Sequence, residues 1–289
     1  MEDAAELGNY LPLSFKSPKE QEYIEFLWDA FETNYTHGKY QFAFLAYHML
    51  TMSFVYFNIW QIKQTKPKDF AMGLIGFGKD IEKSLLEATS PFVFSAVNER
   101  TILRFLKLIA CDNSKIGTYA KLVDDRNETA HPNGNIFFST EAALDAKITE
   151  ILRVVDEIQT HSRPVIEHCY RDFLLQNHDP EEREYPDAID QIREVLIHGN
   201  YLSQKDVDIC VCFDPETLHT TRALRASANF MMRSWRNTRP MMRKWGCEIK
   251  GQTAAQLFDA IREPKSEPKS LTARKGERWE ERNAHPRAM

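Results

Sequence analysis

The chain has 289 residues, 43% of them hydrophobic and 27% charged, with a net charge of −5. Those values describe a soluble globular chain, long enough for one large domain or two small ones, and they exclude a generic polyanion binder. Eleven glycines against 18 Phe and 10 Tyr, spread through long segments with few turn signals, point to long helices rather than a sandwich of short strands.

Ser17-Pro18-Lys19-Glu20 is a helix start, with a capping serine, a first-turn proline and a glutamate three residues after the cap. This helix should end before His37-Gly38. Tyr40 to about Lys63 forms the second helix, apolar nearly all round and so expected at the centre. It is also the membrane candidate of the chain, but Gln41, His48, Thr51, Ser53 and Asn58 interrupt it, and a buried core helix is the better reading. Lys66-Pro67-Lys68 ends it, and Gly73 to Gly78 reads as a loop. Asp80 to Thr89 predicts a short helix stopped by Ser90-Pro91.

Asn98 or Glu99 to Cys111 predicts one helix with Ile102, Leu103, Phe105, Leu106, Leu108 and Ile109 on its apolar side. Asp112-Asn113-Ser114 then caps a helix from Lys115 to about Ala130, which His131-Pro132 ends because the residue before proline is pushed out of helical geometry. Asn133-Gly134-Asn135 is a turn. Ser139 or Thr140 caps a helix whose apolar set, Leu144, Ile148, Ile151, Leu152, Val155 and Ile158, has helical spacing. Arg163-Pro164 predicts the start of a separate helix, Val165 to Gln176. Ala188 to His198 forms another. Val207 to Phe213 is the strand-like run of the chain. Asp214-Pro215 opens a helix from Glu216 to Trp235, and from Glu263 onward the composition reads as a flexible basic tail.

The expected organisation is therefore all-α: a helical bundle over 1–165, a helical extension or second helical region over 166–262, and the tail over 263–289. Charge follows this division. From Arg222 to the end there are 16 Lys/Arg against 7 Asp/Glu, leaving 21 basic and 35 acidic residues before it. Arg233, Arg236, Arg239, Arg243 and Lys244 interleave with Trp235 and Trp245, a pattern suited to phosphates and stacked bases of single-stranded RNA. The competing reading is that Phe230, Met231, Trp235, Met241, Met242 and Trp245 pack this segment onto an acidic body. The five cysteines, at 111, 169, 210, 212 and 247, have no zinc-site spacing. Their odd number and the acidic start, Met-Glu-Asp-Ala-Ala-Glu, lead us to expect reduced thiols in the cytoplasm, with no membrane association.

One stretch carries chemistry: Arg126-Asn127-Glu128-Thr129-Ala130-His131-Pro132. Arginine holds a phosphate with a planar fork of donors, and histidine moves a proton near neutral pH. Together they supply charge stabilisation and proton transfer for RNA strand cleavage without a metal. Spacing alone does not select this pair. Arg163/His168, Arg171/His178, Arg193/His198 and Arg278/His285 also have four to six residues between them. Only Arg126/His131 combines a polar residue after the arginine, a preceding apolar helix and a defined helix end after the histidine. Residues five apart on a helix differ by about 140°, so the pair shares no face unless the helix frays at His131. The bland alternative pairs Arg126 with Asp124, Asp125 or Glu128 and leaves His131 as a helix cap.

Arg126-Asn127-x-x-x-His131 among long helices resembles the motif of the HEPN superfamily, over about a dozen residues around Leu122 to Pro132. The resemblance implies a dimerising all-helical bundle with a composite active site at the subunit interface. It implies metal-independent endoribonuclease activity, leaving a 2′,3′-cyclic phosphate and a 5′-hydroxyl. Arg126 would bind the scissile phosphate, His131 would act on the 2′-hydroxyl or leaving oxygen, and Asn127 would orient one of them. Neither metal nor cofactor is expected. The implied setting is a toxin or antiviral defence effector, with RNA, a second copy of the chain, and an antitoxin or regulatory protein as partners. Other members of the superfamily are non-catalytic RNA-binding or assembly modules, which is the alternative for this chain. A sensor or regulator that recognises a small ligand in the helical core is a third reading.

Overall fold

A computed structural model gives the fold of the chain and describes residues 3–214, with the exception of 133, 178, 180 and 182. Among the described residues the fold is all-α, without a strand; Pro12 and Ser203 form an isolated antiparallel bridge. The helices are α1 (Pro18–Thr36), α2 (Tyr40–Thr65), α3 (Pro67–Gly73), α4 (Lys79–Leu86), α5 (Glu99–Leu103), α6 (Asn113–Ala130), α7 (Glu141–Gln176), α8 (Ala188–Asp190) and α9 (Gln204–Val211). The expected helix from Glu216, the basic residues Arg233, Arg236, Arg239, Arg243 and Lys244, and the tail lie outside the described residues.

The capping box at α1 forms as its sequence predicts: Ser17 Oγ accepts from Lys19 N–H at 3.3 Å, and Ser17 N–H donates to Glu20 Oε2 at 3.2 Å. Gly38, at φ +67, reverses the chain into α2. The second helix is the centre of the bundle. Every residue from Leu50 to Ile62 is buried, which needs neighbours on all sides, and α1, α3, α6 and α7 supply them. Its length and mean hydropathy of 1.3 would let it cross a bilayer, but 83% of its most apolar window is buried within the bundle. Its polar residues are tied inside the fold. Gln41 donates to Thr129 C=O at 2.8 Å and accepts from Phe137 N–H at 3.1 Å, and Ser162 Oγ donates to Asn58 Oδ1 at 2.5 Å.

Several elements differ from expectation. Pro67 does not merely break α2; as the first residue of α3 its fixed φ and missing N–H start a new helix. The predicted helix from Asn98 to Cys111 divides into α5 and a tighter 3-10 helix, Arg104–Ile109, which ends at Ala110 in left-handed backbone, φ 63. Packing decides this: Phe105 stacks on Phe70 at 5.2 Å between centroids, close enough to α3 that a Cβ on Gly73 would come within 3.3 Å of its ring. The N-terminal 3-10 helix Asp3–Tyr10 buries Ala4, Leu7 and Tyr10, a spacing of three that matches three residues per turn.

Pro164 starts no new helix. It lies inside the 36-residue α7, which is about 54 Å long at 1.5 Å per residue. Pro164 and Thr160, whose carbonyl loses its partner, are both exposed, so water can meet that carbonyl. Val165 and Ile166 beside the proline are buried and hold the helix down. The first apolar cluster runs from Ala4 to Val165 and includes Tyr201; the second gathers residues from Ile166 to Val211. The strand-like run at Val207 is also helical, as α9. Its start is a second capping box, with Asp206 N–H donating to Ser203 Oγ at 3.1 Å and Ser203 N–H to Asp206 Oδ2 at 2.9 Å. Val207, Cys210 and Val211, spaced i, i+3, i+4, form its buried face. The Ala188–His198 segment is helical as expected but widens to a π-helix over Gln191–His198. Cys111, Cys169, Cys210 and Cys212 carry free thiols.

Candidate functional site

The geometry around α6 begins with its ends. Asp112 Oδ1 accepts from Lys115 N–H at 2.9 Å and caps the start. At the other end Pro132 forces His131 into extended backbone, φ −83 and ψ 142, while its N–H still donates to Asn127 C=O at 3.1 Å. Gln41 holds this end through the Thr129 carbonyl.

Two acidic neighbours of Arg126 on α6, Asp124 and Asp125, have other partners. Asp124 pairs with Arg100, and Asp125 pairs with Lys147. Arg126 Nη2 instead reaches Glu99 Oε2 at 2.7 Å, across to the first residue of α5. The same Oε2 lies 3.2 Å from Nε2 of His48 on α2. The three side chains run from interior to surface: His48 is 2% exposed, Glu99 20% and Arg126 32%. Burial pushes the Glu99 carboxyl up, but the hydrogen bonds and charges of His48 and Arg126 together outweigh it and hold Glu99 below its ordinary value. The other imidazole nitrogen, Nδ1, is buried without a hydrogen-bond partner among the described residues. With the proton on Nε2, that nitrogen is a bare acceptor.

Arg126 and Glu99 stand on the wall of a cleft of about 980 Å³ between the start of α1, the middle of α2 and the 3-10 helix Pro91–Ala96. Lys16 and Lys19 add positive charge, and Tyr23, Tyr56 and Phe92 supply aromatic surface. A buried carboxylate, Glu20, also lines the cleft, already saturated by Tyr201 Oη at 2.9 Å, Ser90 Oγ at 2.5 Å and Ser17 N–H at 3.2 Å. Lys16 Nζ sits 5.2 Å from the Tyr201 ring centre and 5.5 Å from that of Trp60. Burial pulls its pKa below the usual lysine value, and the Glu20 charge works against that. Such a cleft can take an anion at Arg126 and a planar group against its aromatic wall.

Of the residues singled out from sequence, Arg126 lines this cleft; His131 is exposed at the helix end and is not on its wall, and Asn127 is half-buried between them on α6. Of the other pairs, Arg163 bonds Glu167 at 2.8 Å, His168 lies 3.2 Å from Asp172, Arg193 lies 3.7 Å from Asp190 and His198 Nδ1 lies 3.3 Å from Ser14 Oγ; His178, Arg278 and His285 lie outside the described residues. Sequence reasoning missed Glu99 and His48. A signal for His48 existed, since a histidine inside an all-round apolar helix needs a buried partner, but nothing in the sequence names Glu99 as that partner. Among the described residues no group of three His, Cys, Asp or Glu side chains is placed to hold a metal ion. No protein-family model, curated protein or solved structure matches the chain.

Proposed function

We propose that this chain is a metal-independent endoribonuclease. The observation that supports it most is Arg126: a guanidinium held by Glu99, one-third exposed, on the wall of a cleft with aromatic surface. In this reading Arg126 binds the scissile phosphate. The 2′-oxygen attacks phosphorus as its proton passes to His131 or a second base, the bond to the 5′-oxygen breaks, and that oxygen receives a proton. Asn127 orients one of these groups. The products are a 2′,3′-cyclic phosphate and a 5′-hydroxyl.

His131 stands outside the cleft wall of its own chain. A homodimer that brings two α6 ends together supplies two histidines, one as base and one as acid, and this is the assembly proposed. The setting proposed by resemblance is a cytoplasmic toxin or antiviral effector, restrained by an antitoxin or regulatory protein. A second reading, a non-catalytic helical module that binds RNA or protein, is favoured by the position of His131 off the cleft wall and by the neutralisation of Arg126 by Glu99.

The test is cleavage of single-stranded RNA by the full chain in the presence of a chelator. Arg126→Ala and His131→Ala should each lower the rate by about 10²-fold or more, the usual effect of removing a positioned acid–base or charge-stabilising group. RNA binding without cleavage by the parent chain would favour the module. Full cleavage by a chain that stays monomeric at micromolar concentration would sink the composite site.

A further inference from the structure

We propose that Glu99 is a built-in competitor for the Arg126 site: in the unliganded chain its carboxylate occupies the guanidinium, and a phosphate of single-stranded RNA takes its place, leaving Glu99 anchored by His48. This rests on the reading of Arg126 as the phosphate-binding group, and it adds how that group is held before substrate arrives.

The contacts are unequal in a way that suits exchange. A single oxygen, Glu99 Oε2, serves both Arg126 at 2.7 Å and His48 at 3.2 Å. His48 is fixed in the buried middle of the bundle and uses one ring nitrogen, Nε2, toward Glu99. Arg126 is the most exposed of the three and the one on a long, rotatable side chain. Moving Arg126 outward therefore leaves Glu99 with its interior partner, whereas moving Glu99 would leave a buried imidazole with none. The carboxylate stays ionised at neutral pH, as its position between an arginine and a histidine requires.

The other charges of the cleft do not do this work. Glu20 is buried and its oxygens are saturated by Tyr201, Ser90 and Ser17. Lys16 lies over the Tyr201 and Trp60 rings. Glu99 is thus the anion that decides how much positive charge Arg126 offers to the cleft. The aromatic wall favours a nucleotide over a bare phosphate: Tyr23 and Phe92 meet edge to face at 5.2 Å, and Tyr56 approaches Phe92 at 6.4 Å.

The competing role is that Glu99 is a positioning residue, which holds Arg126 ready for substrate. The two roles predict opposite signs. The probe is a fluorescent 2′-O-methyl oligoribonucleotide, which cannot be cleaved, titrated by anisotropy against the full chain at several salt concentrations. Glu99→Gln keeps a hydrogen-bond partner for His48 and removes the charge. It should bind about five- to tenfold more tightly than the parent, the scale of one charge-assisted hydrogen bond in a partly exposed site. The slope of log K against log salt should steepen by about 0.7, one further phosphate contact on a single strand. Glu99→Asp, which shortens the reach to Arg126, should move in the same direction. The combination of Glu99→Gln with Arg126→Ala should lose the gain.

Weaker or unchanged binding by Glu99→Gln overturns the proposal, as does absence of binding by that variant. An equal gain in the combined variant also overturns it, because the effect would then be one of general charge. If Glu99→Gln fails to fold by circular dichroism, Glu99→Asp decides by the same signs. Because the probe cannot be cleaved, a parent chain without ribonuclease activity would sink the catalytic reading while leaving this binding comparison intact.

Discussion

Replacing Asp206 with alanine takes a carboxylate out of the junction of α2, α7 and α9. Asp206 is 3% exposed. Its Oδ1 accepts from Gln159 Nε2 at 2.7 Å, and its Oδ2 accepts from Gln61 Nε2 at 3.1 Å and Ser203 N–H at 2.9 Å. In the alanine variant Gln61 keeps the Tyr201 carbonyl at 3.3 Å, but Gln159 Nε2 and Ser203 N–H lose their acceptor. Each buried donor left unmet costs about 1–3 kcal/mol. Removing a desolvated carboxyl offsets part of this, so the expected net loss is about 2–5 kcal/mol. Asp206→Asn keeps one oxygen for two donors, and the Gln159 amide can rotate to meet the new NH₂; its expected loss is about 1 kcal/mol. The assay is urea unfolding followed by circular dichroism. Burial raises the Asp206 pKa. Its contribution is therefore full below the unfolded-state value and is lost as pH rises through the folded-state value. The asparagine variant has no such loss, so its deficit relative to the parent should narrow as pH rises through that window. An alanine variant within about 0.5 kcal/mol of the parent would refute the reasoning, since that is the effect of an ordinary surface change.

Ala110 holds left-handed backbone at φ 63 and ψ 23, so Ala110→Gly should stabilise the chain by about 0.5–1 kcal/mol, read as a higher urea midpoint; a lower midpoint would show that the alanine is unstrained. Glu99 is held below its ordinary pKa partly by Arg126, so Arg126→Ala should raise the Glu99 titration seen by carboxyl carbon NMR. The stability that Glu99 contributes is present above the unfolded-state carboxyl value and lost as pH falls through the folded-state value; in Arg126→Ala this loss should begin at higher pH, and an unmoved titration would remove Arg126 as its partner.

Local rules carried much of the fold. Ser17, Pro18 and Glu20 announced the start of α1, and Asp112 and Pro132 bounded α6, because caps and prolines act over three or four residues of chain. The apolar run from Tyr40 identified the central helix, because a helix apolar on every face has to be covered on every face. Packing decided what these rules misread. Pro164 was absorbed into α7 because the carbonyl it frees lies at the surface while Val165 and Ile166 are held in the core. Val207 became helical because Ser203 and Asp206 cap it and the buried Asp206 draws in Gln61 and Gln159 from two other helices. The cleft shows the same division. Arg126 was legible as a cation in an unusual local setting. Its partnership with Glu99 and His48 was not, because those residues come from helices far apart in the chain and meet only when α2, α5 and α6 pack together.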